Sequence, residues 1–407
     1  MTISNLVFMF RTSRPELIDF SQWKDHIKHI LGRLTNTPEE INDNVLLQAN
    51  LSIKTGGIGL RCNEHYPKAA YVASICASKQ NIRMILQDEH WEHPDLEWYI
   101  EELREESLPE MFPAYPEFVQ GVKVQRKLCK ALDAKTASQL IDEAEGLRER
   151  ARLRGLNKNQ HCGDWLTARP DPNLHMKFDD RHFAAALRYR LGLPMYRDGQ
   201  ICYSCGSVLD VQGDHAMHCK KEGYLTTRHN GIQSLLLHLA AASGLNPTKE
   251  DNRLIPNKHG KRPGDIILKN ETGLITAYDV TVRSPLQVTY RKAAARDARH
   301  TLNAADRDKY TRYNADEDGL IAHNVKLVPL SFTTQGAVSD NVDEFVRKLS
   351  GELHFKWGYS AKSTTRFIFQ QISALLHQHN AQAFLLRNAI PTHPNVEKLV
   401  DALGFVS

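Results

Sequence analysis

KRPGDIILKNETGLITAYDVTV, residues 261–282, contains two short apolar runs, each with one aspartate: Asp265 at the mouth of the first and Asp279 inside the second. Arg262 to Leu268 and Ile275 to Val282 read as strands, and Glu271-Thr272-Gly273 between them reads as a hairpin turn. Aspartate is depleted in strands, so two of them on adjacent apolar strands require a reason. A hairpin brings both carboxylates within reach of one hard cation such as Mg²⁺, which polarises a phosphodiester and lowers the pKa of its water.

Outward from this stretch the pattern stays mixed. Thr226 to Ala242 is an apolar helix, Leu286 to Tyr313 a long helix rich in Ala and Arg, and Val325 to Phe332 a third strand. Arg283 to Arg312 carries eight Lys or Arg against three Asp. On one helix, Lys292, Arg296 and Arg299 share a face and form a candidate surface for backbone phosphate. Phe367, Ile368, Ile372, Leu375 and Leu376 recur at helical spacing, which predicts core or interface packing.

Upstream, Cys202 and Cys205 are separated by two residues, with Gly206 just after; His215 and Cys219 follow, separated by three residues. Four N or S donors at this spacing close a tetrahedral zinc shell of the structural kind, with His218 as the alternative to His215. The chain has seven cysteines, an odd number, with three of them crowded here. That is metal-site usage rather than a disulfide framework.

The N-terminal part reads as helices around a turn at Thr55-Gly56-Gly57-Ile58-Gly59-Leu60. It is not a phosphate loop, because Cys62 stands where a third glycine would fall. Ten acids and one base between Asp88 and Glu110 predict a solvated helix face, and ten bases with five acids between Lys123 and Lys158 predict a basic helical connector. Pro170 and Pro172 end that region, and Arg181 to Leu191 restarts a helix before Gly192.

At 407 residues the chain is long enough for two or three domains. Its charges, 52 Lys or Arg against 48 Asp or Glu, balance to +4, too mild to identify a polyanion partner by themselves. It has no apolar run long enough for a transmembrane helix, and Ile3 to Phe10 is too short and wrongly flanked for a signal peptide, so an intracellular protein is expected.

Taken in order, Cys202-Tyr-Ser-Cys205, His215, Cys219, Arg228-His229-Asn230, Arg262-Pro-Gly-Asp265, Asp279-Val-Thr-Val, Ser284-Pro285-Leu286 and Lys309-Tyr310 resemble the C-terminal half of non-LTR retrotransposon polyproteins of the restriction-like-endonuclease type. Gly56-Gly57-Ile58-Gly59-Leu60-Arg61 with Ala69-Ala70-Tyr71-Val72-Ala73-Ser74 is similar to the reverse transcriptase thumb of that family. The resemblance implies an α+β chain with a helical N-terminal region, a small zinc knuckle and a restriction-endonuclease-like mixed sheet flanked by helices. Its expected divisions are a thumb-like remnant (1–119), a basic connector (120–195), a CCHC knuckle (196–224), the nuclease domain (225–355) and a C-terminal helical segment (356–407).

In that family the nuclease is of the PD-(D/E)xK type and nicks target DNA to prime reverse transcription. The resemblance therefore implies Asp265 and Asp279 as magnesium carboxylates, Lys309 as catalytic lysine with Lys292 as its rival, structural zinc, target DNA as partner and element RNA as a further one. Neither a membrane nor a small-molecule substrate is expected, and the location expected is nuclear or otherwise intracellular. Arg228 and His229, together with Lys292, Arg296 and Arg299, are the expected nucleic-acid contacts, and Glu250 is a further acid. Two departures stand out: Gly264 separates Pro263 from Asp265, and Thr281 occupies the superfamily's usual lysine position.

A polymerase needs paired aspartates on an apolar strand-turn. Phe178-Asp179-Asp180 and Tyr313-Asn-Ala-Asp316-Glu-Asp318 lack those flanks, so a C-terminal piece without the polymerase site is expected, not a complete reverse transcriptase. The alternative expectation is an inactive nucleic-acid-binding module or a decayed remnant. To bring Lys309 to the carboxylates, the helix from Leu286 is expected to break near Leu302 to Asp306, since a straight run would carry it about 36 Å from its start.

Overall fold

Ile266–Lys269 (β2) and Ile275–Arg283 (β3) are adjacent antiparallel strands, with Ile266 opposite Tyr278 and Lys269 opposite Ile275. Thr248–Lys249 (β1) pairs antiparallel with β2, and Val325–Thr333 (β4) pairs parallel with β3, giving a four-stranded mixed sheet in the order β1-β2-β3-β4. The parallel pair requires a crossover, and the two helices between β3 and β4 supply it. The computed structural model describes residues 3–19, 21–37, 41–61, 65–114, 118, 123–249, 254, 264–270, 273–314, 320 and 324–387. Expectations resting on Cys62, Glu250, Arg262, Pro263, Glu271, Thr272, Asp316 or Asp318 lie outside those residues.

The chain divides into two compact units at Glu145 and Gly146. In the first are the helices Ile3–Thr12 (α1), Ser21–Thr35 (α2), Asp43–Asn50 (α3), His65–Leu86 (α4), Leu96–Glu105 (α5) and Val124–Asp142 (α6). Ala69, Val72, Ala73 and Cys76 of α4 pack with Tyr99, Ile100 and Leu103 of α5 and Leu128 and Leu132 of α6. The glycine-rich segment is a plain turn: the Gly57 amide donates to Ser52 O and the Gly59 amide to Leu51 O, so both are engaged within the chain. Buried Asp133 closes it, accepting from the Ser52 amide at 3.2 Å and from Arg61 at 2.8 Å.

The second unit comprises Gly146–Lys158 (α7), Asp180–Leu191 (α8), Tyr224–Ala242 (α9), Val288–Ala294 (α10), His300–Asn314 (α11), Asp340–Trp357 (α12) and Ala361–Arg387 (α13), together with the sheet. The connector expected over 120–195 is thus shared between the units, α6 belonging to the first and α7 and α8 to the second. Period-two alternation decides which sheet residue meets which helix. Ile266, Leu268, Tyr278 and Val280 face one core with Ile232 and Leu236 of α9, Phe345 and Leu349 of α12, and Ile368 and Ile372 of α13. Ile267 and Ala277 face the other with Val325, Leu327 and Tyr313 of α11. By the same alternation Asp279, two residues past Ala277, lies on the α11 side.

The long helix expected from Leu286 to Tyr313 is interrupted, but at 295–299 rather than at Leu302 to Asp306. The Asp297 side chain accepts from the Arg299 amide at 2.9 Å, drawing that amide out of a helical ladder, whereas Leu302 is buried within α11. Phe178-Asp179-Asp180 is a helix start: Asp179 caps α8, its Oδ1 accepting from the His182 amide at 2.8 Å. Among the described residues no helix is long and apolar enough to cross a membrane.

Candidate functional site

Gly264 opens the site. Its φ of +88° lies in the left-handed region, and a Cβ there would come within 2.7 Å of the Ala277 Cβ, so both conformation and space call for glycine. Past it, the Asp265 amide donates to Tyr278 O at 2.7 Å, although Tyr278 already faces Ile266 in the ladder. Two residues opposing one is a bulge, and bulges re-aim side chains. Here Asp265 Oδ2 accepts from the Val280 amide at 2.6 Å, while Oδ1 lies 3.1 Å from His229 Nε2 on α9. Gln233, one helical turn further along α9, donates to Asp265 O at 3.0 Å.

Asp279 is 3% exposed, a burial a carboxylate tolerates only with a partner. Lys309 of α11 is that partner, its Nζ in contact with Asp279 Oδ2. Burial pushes the Asp279 carboxyl above its ordinary value; Lys309 opposes the shift, and the neighbouring charge of Asp265 adds to it. Burial disfavours charge on His229, yet its hydrogen bond to Asp265 and the charge there outweigh burial and raise its pKa. Two carboxylates that repel each other, a lysine of α11 and an imidazole of α9 therefore form one cluster.

All five of the expected nucleic-acid residues fall differently from the sequence reading. Arg228 is buried, donating to Asn380 Oδ1 at 2.9 Å, and joins α9 to α13 instead of facing a phosphate. His229 meets Asp265. Lys292, Arg296 and Arg299 do not share a helical face, because the interruption at Asp297 puts Lys292 on α10 and the other two in the turn after it. Lys292 and Arg296 are exposed, and Arg299 pairs with Asp340 at 2.8 Å. Between the two lysines, Lys309 is the one at the carboxylates.

The second constellation is Cys202, Cys205, His215 and Cys219, whose ligand atoms all lie within 4.8 Å of one another. Cys205 Sγ and His215 Nε2 are 3.3 Å apart. The knuckle is built by the backbone: the Cys202 amide donates to Ser207 O and the Gly206 amide to Cys202 O, both at 2.8 Å, and Gly206 turns at φ +72°. Hydrogen bonds from Ser207 bring the Cys205 thiol down to about 7, toward the thiolate a metal needs. His218 is not one of the four; its ring lies edge-on to His215, 5.6 Å away. Three sulfurs and one imidazole nitrogen at this spacing fit a metal such as zinc.

The knuckle is not a free-standing finger. Cys202, Leu209, Ala216, Met217 and Cys219 are part of one core with Ala151 of α7, Tyr189 of α8, Ala294 of α10 and Phe384 of α13. Buried Asp214, next to His215, receives Arg148 of α7 through two 2.8 Å bonds and Arg291 of α10 at 3.1 Å. Sequence reasoning missed this Arg-Asp-Arg bridge; the available signal was an aspartate directly before a ligand histidine. No protein-family model matches this chain, and no curated protein matches it.

Proposed function

We propose that the chain is a metal-dependent DNA endonuclease derived from the C-terminal part of a non-LTR retrotransposon protein. The observation that supports this reading is the meeting of Lys309 with Asp279 beside Asp265: the three residues that the resemblance nominates come together from β3, from the residue before β2 and from α11. A hard divalent cation held between Asp265 and Asp279 would supply Lewis acidity and a water of lowered pKa. Asp265 is positioned for this by the Val280 amide and His229, which leave its carboxylate little freedom to turn. Lys309 holds a positive charge where a scissile phosphate gains negative charge, so its ammonium would move from Asp279 to the phosphate as substrate and cation enter.

Supercoiled plasmid incubated with the protein and Mg²⁺ is expected to yield nicked circles. Asp279→Ala and Lys309→Ala are each expected to reduce nicking by about 100-fold or more, the scale of removing one preorganised electrostatic contact, whereas Lys292→Ala leaves it near wild type. No nicking by the wild-type chain, or equal nicking by Asp279→Ala, overturns the proposal. Salt-sensitive DNA binding without cleavage would identify a binding module instead.

A further inference from the structure

Phe355, Trp357 and Tyr359 are three aromatic side chains within five residues, and they are 91%, 57% and 59% exposed. Large apolar side chains concentrated in this way on a surface mark a binding site more often than single ones do. The backbone beneath them is well defined. Helix α12 ends at Trp357 and is capped by Gly358, whose amide donates to His354 O at 2.8 Å, and His354 Nδ1–H donates to Tyr359 O at 2.5 Å. Two residues later α13 begins, so the aromatics project from a short corner between two long helices rather than from a tail.

Charge around the corner is mostly positive. From Lys348 to Arg366 there are four Lys or Arg and one acid, Glu352, and Arg347 just before them pairs with Asp343. Lys348, Lys356, Lys362 and Arg366 are exposed, and Lys356 lies over the Trp357 ring, 5.2 Å from its centroid. Lys356 also reaches Gly244, just beyond the C-terminal end of α9. His229 is near the other end of that helix, fifteen residues from Gly244, or about 22 Å at 1.5 Å per residue. The corner is therefore separate from the carboxylates.

We propose that this corner binds single-stranded nucleic acid, with bases stacking on Phe355, Trp357 and Tyr359 and the backbone phosphates neutralised by the surrounding lysines. Aromatic faces of this kind need bases that are not already stacked in a duplex, and a four-to-one excess of basic over acidic side chains fits a polyanion better than a protein partner. RNA and single-stranded DNA share this chemistry. The inference does not rest on the nuclease reading, because the corner includes none of Asp265, Asp279 or Lys309.

The test is fluorescence anisotropy with the full chain, without added divalent cation, using labelled oligouridylate, oligothymidylate and a mixed-sequence duplex, each about 16 nucleotides long. Both single strands, or one of them, are expected to bind, and preference for the uridylate or the thymidylate identifies the source. The double variant Phe355→Ala with Trp357→Ala is expected to weaken single-strand binding about tenfold or more while leaving duplex binding and the thermal midpoint unchanged. Phe355→Tyr with Trp357→Phe is expected to retain single-strand affinity, since the ring faces remain. Single-strand affinity unaltered by the alanine pair, or equal weakening for single strand and duplex, overturns the proposal. So does loss, in that variant, of a concentration-dependent dimer seen by sedimentation, which would assign the surface to a second copy of the chain.

Discussion

Arg228 and His229 are sequence neighbours with opposite fates, one sealed between α9 and α13 and the other turned to Asp265. Successive residues on a helix point about 100° apart, so which of two adjacent polar residues enters a core and which enters a site depends on how the helix is packed. The sequence could nominate the pair, but it could not set the phase. Asp265 and Asp279 were legible because a carboxylate on an apolar strand is unusual by itself; Lys309 was legible only through the resemblance, since nothing in its own neighbourhood distinguishes it from Lys292. A histidine outside either site supplies a residue-scale prediction. His377 is buried against Trp165, with ring centroids 5.2 Å apart, and its Nδ1–H donates to Ser373 O at 2.8 Å. Burial brings its pKa down to about 4 from an ordinary 6.5. Between those values the unfolded chain takes up a proton that the folded chain refuses, so this contribution to stability is complete above about pH 6.5 and is lost as pH falls toward 4. From pH 7 to pH 5 the loss comes to about 2 kcal/mol. Denaturant midpoints at the two pH values should show a smaller drop in His377→Gln than in the wild type, and identical drops would refute the assignment.

Elements were legible where periodicity was unbroken. Thr226 to Ala242, Ile275 to Val282 and Val325 to Phe332 each match the observed element to within about two residues at either end. The misreadings lie where one side chain or one glycine outweighs its neighbours. Asp297 divides an Ala- and Arg-rich run into α10 and α11, and the helical connector expected between Lys123 and Lys158 stops at Asp142 and resumes at Gly146. Helix α12 went unread although Val342, Phe345, Val346, Leu349 and Leu353 have helical spacing and are buried. The knuckle is the element on which several others depend, because Asp214 ties it to α7 and α10 while its cysteines fill the space between α8 and α13. Removing one partner of a buried charge network leaves the other charges uncompensated, at a cost of about 3 to 5 kcal/mol. Asp214→Ala is therefore expected to lower the unfolding midpoint as much as Cys202→Ser does, and with a strong chelator the wild type should lose the same transition. Calorimetry decides it: a chelated chain that unfolds at the unchanged temperature would mean that no metal supports this core.

Each of the two units has its own core. α6 ends at Asp142 and α7 begins at Gly146, leaving Glu143, Ala144 and Glu145 between them, with both glutamates exposed. Short, exposed, charged segments between cores are preferred sites of proteolytic cutting. The sequence reading put the division between the thumb-like remnant and the connector at residue 120, in front of the basic stretch. The structure moves it to 146, because Val124, Leu128 and Leu132 of α6 are buried against α4 and α5 of the first unit. Both the candidate zinc residues and the Asp265, Asp279 and Lys309 site belong to the second unit, and the sheet, α9, α11 and the knuckle are all internal to it. A glutamate-specific protease is therefore expected to cut first at Glu143 or Glu145. The product beginning at Ala144 or Gly146 should resist further digestion, hold one zinc per chain and nick plasmid in Mg²⁺ at a rate within a few-fold of the whole chain. Mass spectrometry of the first stable fragment, metal analysis and the nicking assay on that fragment check the three parts. A first cut inside 146–387 that destroys both zinc binding and nicking would show that the second unit does not stand on its own core.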